Sequence, residues 1–344
     1  MTELTIALDA MGGDIGPRAV VPAAHKALQK YPPHIRFILV GQPDVIHDVM
    51  REHHISESER LQVYPASQVI AMDELPSRAL RMKKDSSTHV AVGLVKQGIA
   101  KACVSSGNTG ALMVIAHLFL KTLPGIDRPA LVTELPSANA QQVTRMLDLG
   151  ANVDSCAEHL YQFAVMGSVL SQAVDNNPNP RVGLLNIGVE EIKGNDQVKH
   201  TAHLLAQSDT INYIGYIEAD QIYSGTADVI VCDGFVGNVA LKASEGAARL
   251  ITSETKACLS QNFWARIAGF LAQGALRKVK KRLDPARFNG ASLIGLNGIV
   301  IKSHGGADKA AFGFAIDEAV RESEKSVPQL IQKAMGDLFS EDNS

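Results

Sequence analysis

Short apolar runs alternate with longer stretches of helical period along the whole chain. The runs fall at residues 4–8, 36–41, 61–65, 102–104, 130–135, 145–149, 181–185, 211–217, 228–232 and 298–302, each of strand length. Residues 17–29, 44–54, 89–99, 111–121, 153–174 and 196–207 space their apolar positions by three and four, as a helix with one buried face does. A longer helical pattern covers about 239–282, and two more helices are predicted at 308–324 and 327–339. This rhythm predicts an α/β fold with a largely parallel sheet covered by helices on both faces. No repeat or low-complexity linker divides it, so residues 1–344 are expected to form one catalytic α/β domain.

The turns after the strands carry the candidate chemistry. Residues 104–112 read Val-Ser-Ser-Gly-Asn-Thr-Gly-Ala-Leu, between a strand end and a helix start. Free N–H groups and the positive end of a helix dipole would face outward there. Gly107 and Gly110 allow close approach, and Ser105, Ser106, Asn108 and Thr109 add donors, a set suited to phosphate. The same residues also suit an ordinary turn with Asn108 or Thr109 as N-cap. Similar turns lie at 9–14 (Asp9, Asp14), 148–152, 186–190 (Asn186, Glu190), 233–238 (Asp233, Asn238) and 303–308 (His304). In a parallel sheet all of them gather at one edge. Lys84 and Ser86, ahead of the 89–99 helix, form either another anion cradle or a solvated charge run ending in a Ser cap.

Composition narrows the class. At 46% hydrophobic over 344 residues the chain can bury a large core, and a net charge of −3 gives no sign of nucleic-acid binding. Cys103, Cys156, Cys232 and Cys258 are scattered without metal or disulfide spacing, which fits a reducing cytoplasm and predicts no metal. There is no signal peptide pattern, and no apolar run approaches the roughly 18 residues that span a bilayer. Neither a dinucleotide fingerprint, a P-loop nor a nucleophile elbow is present, so no cofactor is expected.

What converges is Ser, Asn, glycine N–H groups, Lys84, Lys302, His304 and carboxylates, with no obvious covalent nucleophile. That set fits direct attack of bound phosphate on an activated acyl group such as a thioester, whose thiolate leaves easily. Catalysis would rest on positioning and on donors at the developing oxyanion, with His304 as base or donor. The catalytic candidates are His304, Asn108, Asn238 and Asp233. The substrate-binding candidates are Lys84, Ser86, Ser105, Ser106, Gly107, Thr109, Gly110, Asp9, Asp14, Asn186, Glu190 and Lys302.

DAMGGD at 9–14, KKDSS at 83–87, SSGNTGA at 105–111, DLGAN at 148–152, NIGVEEIKG at 186–194, DVIVCDGFVGN at 228–238 and GLNGIVIKSHG at 295–305 together resemble the PlsX-type phosphate acyltransferases of bacterial phospholipid synthesis. The resemblance implies conversion of long-chain acyl-[acyl carrier protein] and inorganic phosphate to acyl phosphate and free carrier protein. It also implies a homodimer, no required metal, and a Rossmann-like α/β/α sandwich related to phosphotransacetylase and isocitrate dehydrogenase-like folds. A phosphotransacetylase-like enzyme using acyl-CoA is the alternative.

Within residues 254–288 an amphipathic helical hairpin is expected. Phe263, Trp264, Ile267, Phe270 and Leu271 form an apolar stripe continued by Leu276, Val279 and Leu283, and Arg277, Lys278, Lys280 and Lys281 follow it closely. The stripe could be a core or dimer face. The sharper reading is a tip that dips into an anionic membrane surface, with a basic flank that meets head groups or acyl carrier protein. The resemblance carries peripheral association with the inner face of the cell membrane, and a downstream membrane glycerol-phosphate acyltransferase as a further partner.

Overall fold

The computed structural model describes residues 3–139, 142–282 and 284–341. Its first half follows the predicted alternation. Strands β1 (Leu4–Asp9), β2 (Ile35–Gly41), β3 (Leu61–Pro65) and β4 (Ala102–Ser105) are parallel. Helices α1 (Pro17–Lys30), α2 (Pro43–Glu52), α3 (Pro76–Met82), α4 (Ser87–Lys96) and α5 (Thr109–Leu120) connect them or follow β4. The strand period of two divides the core: Ile6 and Leu8 pack with Val20 and Phe37, and Ala7 packs with Ala91, Cys103 and Ile115 on the other face.

The second half comprises β5 (Ala130–Pro136), β6 (Val143–Leu147), α6 (Ala157–Val174), β7 (Val182–Leu185), α7 (Asp196–Ala206), β8 (Tyr213–Ile217) and β9 (Val229–Val231). Then come the long helices α8 (Gly234–Ser260) and α9 (Phe263–Arg282), strands β10 (Ala291–Ile294) and β11 (Ile299–Lys302), and helices α10 (Lys309–Lys325) and α11 (Val327–Glu341). The described strands form one sheet, ordered β3-β2-β1-β4-β11-β10-β5-β6-β9-β7-β8.

Strand direction corrects the single-edge expectation. Strand β11 is parallel to β4, but β10 is antiparallel to both β11 and β5, and β5 is antiparallel to β6. Strands β6, β9, β7 and β8 are mutually parallel, so that block runs against β1–β4 and β11. The reason lies in the links. Parallel neighbours need a crossover of about a dozen residues or more, whereas residues 137–142 and 295–298 are room only for hairpins. The turns at 9–14, 105–110 and 303–308 therefore share one edge, and those at 148–152, 186–190 and 233–238 lie on the opposite one.

A buried charge network ties the two blocks. Arg145 of β6, 1% exposed, pairs with Glu134 of β5 at 3.0 Å, Asp175 at 2.7 Å and Glu318 of α10 at 3.1 Å. Arg321 also bonds Glu134 and Glu318. Helices α8 and α9 pack against each other, the first starting at Gly234, before residue 254, and the second ending at Arg282. Gly234 and Gly237 are the buried residues of α8, Ala240 and Leu241 pack against the core beside them, and the exposed remainder of the helix runs on from there.

Candidate active site

Register builds the first edge. Leu8 pairs with Val104 and Lys302 with Ser105, so Asp9, Ser105 and Lys302 end three adjacent strands side by side. Asp9 is fully buried and is the hub of the edge. Its Oδ2 accepts from Ser105 Oγ at 2.6 Å and Thr88 Oγ1 at 2.7 Å, and its Oδ1 from the N–H groups of Met11 and Gly12 at 3.3 and 3.1 Å. One carboxylate thus fixes the 9–14 turn, the 105–110 turn and the first turn of α4.

The three turns interlock through backbone. Asp14 N–H donates to the Gly305 carbonyl at 2.8 Å, and Ser106 Oγ donates to the Gly12 carbonyl at 2.8 Å. Gly13 has φ +78°, and a Cβ there would lie 2.6 Å from the Gly305 oxygen and 2.7 Å from Ser106 Oγ, so only glycine fits. Asn108 caps α5 by accepting from Ala111 N–H at 3.0 Å. Its amide N–H groups go to the carbonyls of Met72 and Glu74, both at 2.9 Å, clamping the 71–74 loop beside the turn. Ser86 caps α4 through His89 N–H and also contacts the His89 ring.

The side-chain donors expected to meet an anion are therefore divided. The hydroxyls of Ser105 and Ser106 and the amide of Asn108 donate inside the frame, and Asn108 is the N-cap of α5. What faces outward is the start of α5, where Thr109 is exposed and first-turn N–H groups have no helical acceptor. Lys302, 9% exposed, lies beside it and donates to the Ser303 carbonyl. Burial pulls the Lys302 ammonium down to about 8, against the opposing pull of Asp9 and Asp14. Asp14 and Lys84 are exposed. His304 is exposed too, and its Nδ1 accepts from Gly306 N–H at 3.2 Å. In the neutral ring that leaves the proton on Nε2, so His304 presents a donor.

Asp233, Asn238, Asn186 and Glu190 are not brought to this edge. Asp233 caps α8 by accepting from Val236 N–H at 2.9 Å, and Asn238 is exposed one turn later beside Gly150. Asn186 closes its own loop by donating to the carbonyls of Gly188 and Lys193 at 3.1 and 3.3 Å. Asp148 is the hub there: it is fully buried and accepts from the N–H groups of Leu131, Ala151 and Asn152 and from the Asn152 amide. Thr88 and Ser303 are site residues that the sequence reading missed. Thr88 had a signal in its place within the first turn of α4, and Ser303 in its place in the 303–308 turn, where only His304 stood out as chemistry.

The family model described as fatty acid synthesis protein matches residues 4–330. Two curated relatives named phosphate acyltransferase match nearly end to end. That of Legionella pneumophila is 56% identical over 341 residues, covering 99% of each chain. That of Alkalilimnicola ehrlichii is 57% identical over 341 residues, covering 99% of this chain and 98% of the relative. The chain belongs to the PlsX-type phosphate acyltransferase family. A phosphotransacetylase structure from Streptococcus pyogenes superposes with a TM-score of 0.64 at 18% identity over 94% of each chain, which supports a shared α/β fold. Among the described residues no helix is long and apolar enough to cross a membrane, and no cluster of three or more His, Cys, Asp or Glu could hold a metal.

Proposed function

We propose that this family member transfers a long-chain acyl group from the thioester of acyl carrier protein to inorganic phosphate, releasing acyl phosphate and the carrier thiol. The observation that carries the reading is the α5 N-terminus flanked by Lys302 and His304 on one edge, with three interlocked turns behind it. Phosphate sits at the α5 start, held by N–H groups, Thr109 and the Lys302 charge, with Lys84 drawing the anion in, while Gly107 and Gly110 let the turn pack closely on Ser105 and Pro76. A phosphate oxygen attacks the thioester carbon, and the C–S bond breaks as the tetrahedral intermediate collapses. The His304 Nε2–H stabilises the oxyanion or meets the departing sulfur. Asp9, Ser105, Ser106 and Asn108 hold this arrangement rigid, and Asp14 fixes the 303–308 turn. Asp233, Asn238, Asn186 and Glu190 shape the opposite edge and stand outside the phosphate cradle.

Thiol release should require phosphate and should be faster from acyl carrier protein than from acyl-CoA. Lys302→Met should raise the KM for phosphate about 10- to 100-fold, since a charge-assisted bond contributes about 1.5–3 kcal/mol. Faster release from acyl-CoA would favour the phosphotransacetylase-like alternative, and release independent of phosphate would overturn the reaction.

The hairpin supports the interaction half of this reading. Phe263, Trp264, Phe270 and Leu271 are 70–77% exposed, and Ile267 and Leu276 37%. Arg277 and Lys278 are exposed; the side chains of Lys280 and Lys281, and Leu283, lie outside the described residues. We place this tip on an anionic membrane surface or carrier protein, with the chain working as a homodimer near its downstream acyltransferase on the cytoplasmic face. Trp264→Glu combined with Phe270→Glu should cut sedimentation with anionic liposomes at least about tenfold, because each removes about 1.5–3 kcal/mol of apolar burial. Unchanged sedimentation with a broken dimer would make the stripe an interface between copies.

A further inference from the structure

Helix α9 returns from the hairpin through a short 3-10 turn at Pro285–Phe288, capped by Asp284, and delivers Asn289 beneath the 303–308 turn. The Asn289 amide makes three hydrogen bonds to that turn and the helix it opens. Its Oδ1 accepts from His304 N–H at 2.8 Å, and its Nδ2 donates to Ser303 Oγ at 2.8 Å and to the Ala311 carbonyl of α10 at 2.7 Å. These bonds hold the two residues around which the His304 ring pivots and the first turn of α10 together. Behind Asn289 lies a cavity of about 310 Å³ lined by Tyr31, Arg287, Phe288, Phe314 and Glu318 among others. Asn289 itself lines that cavity, so its place beneath the turn is fixed by the bonds of its amide rather than by close packing on its far side.

We propose that Asn289 is a positioning residue that sets where the His304 ring stands relative to the anion cradle. The proposal rests on the role given to His304 above. Asn289 touches neither substrate nor the reacting atoms, and it acts only through the backbone of His304. Because it is carried on the hairpin's return, it joins the surface that docks the substrate to the turn that processes it. With the amide gone, the turn keeps its ties to β4 and Asp14 through the Ser303 N–H to Ser105 bond and the Asp14 N–H to Gly305 bond, both 2.8 Å. It should stay folded while the ring drifts.

The test is a double-mutant cycle of Asn289→Ala and His304→Ala in the full-length protein, reading kcat and phosphate KM. Asn289→Ala should lower kcat about 10- to 100-fold, the loss that follows a misplacement near 1 Å, and leave phosphate KM within about threefold. In the His304→Ala background the Asn289 change should have no further effect on kcat. Asn289→Asp keeps the acceptor for His304 N–H and should recover part of kcat. It also serves as the readable variant if the alanine protein does not fold. Wild-type kcat in Asn289→Ala, or losses that multiply across the two sites, would overturn the positioning role while leaving His304 in place. Wild-type turnover in His304→Ala would overturn the role of His304 and this proposal with it.

Discussion

Asp9→Ala is expected to abolish measurable turnover and to lower stability by about 3–5 kcal/mol, the cost of stranding buried donors. Asp9 accepts four hydrogen bonds at full burial, so its loss strands the hydroxyls of Thr88 and Ser105 and the N–H groups of Met11 and Gly12. It also removes the carboxylate that favours the charged form of Lys302. The two effects can be separated. Asp9→Asn keeps the shape and one acceptor oxygen, so most of the stability should return, yet the negative charge beside Lys302 stays lost. Phosphate KM in Asp9→Asn should therefore change while its denaturation midpoint stays near wild type. An alanine variant with wild-type midpoint and wild-type phosphate KM would show that Asp9 does not organise this edge.

The strand–helix rhythm is legible in the sequence because β1, β2 and β4 are buried on both faces, and such strands are short continuous apolar runs bounded by turn residues; β3, at the sheet's edge, buries only Leu61. The reversal of strand direction was missed. Residues 130–135 and 145–149 have strand patterns with no helical pattern between them, and that missing crossover is what makes β5 and β6 a hairpin. Strand β10 escaped notice because Ala291–Ile294 is four residues inside a glycine-rich stretch.

The site was legible as a set of turns but not as a set of contacts. Asn108 reads equally as cap and as catalytic donor. The carbonyls that take its N–H groups come from residues 72 and 74, on a loop whose position no local pattern fixes. Gly234 and Gly237 looked like a turn ahead of a helix. They lie inside α8 because a Cβ on Gly237 would sit 1.9 Å from the Asp148 carbonyl oxygen, so these glycines serve close packing rather than chain reversal. Asn289 has no motif around it, and its importance comes entirely from which turn it lies beneath.

The second large effect concerns stability against pH and centres on Glu322 of α10. Glu322 is 1% exposed; its Oε2 accepts from Ser292 Oγ at 3.0 Å and its Oε1 has no partner. Burial, with the Glu318 carboxylate one helical turn away adding to it, pushes its carboxyl up to about 8, opposed by the Ser292 bond and by Arg145 and Arg321. The folded protein thus keeps a proton that the unfolded chain releases near its ordinary value of 4.5. The sign follows: the stabilisation is fully present below pH 4.5, falls as pH rises because only the folded state still holds the proton, and is gone above about 8. The span corresponds to a loss on the order of 3–5 kcal/mol, at up to about 1.4 kcal/mol per pH unit. Glu322→Gln copies the protonated form and cannot titrate. Chemical denaturation at pH 5, 6, 7, 8 and 9 should give a wild-type free energy that falls more steeply than the variant's, with the two lines diverging most between pH 6 and 8. Parallel lines across that range would mean that Glu322 is already charged in the folded protein. Arg145 and Arg321, which already pair with Glu134, Asp175 and Glu318, would then have to neutralise a fourth carboxylate.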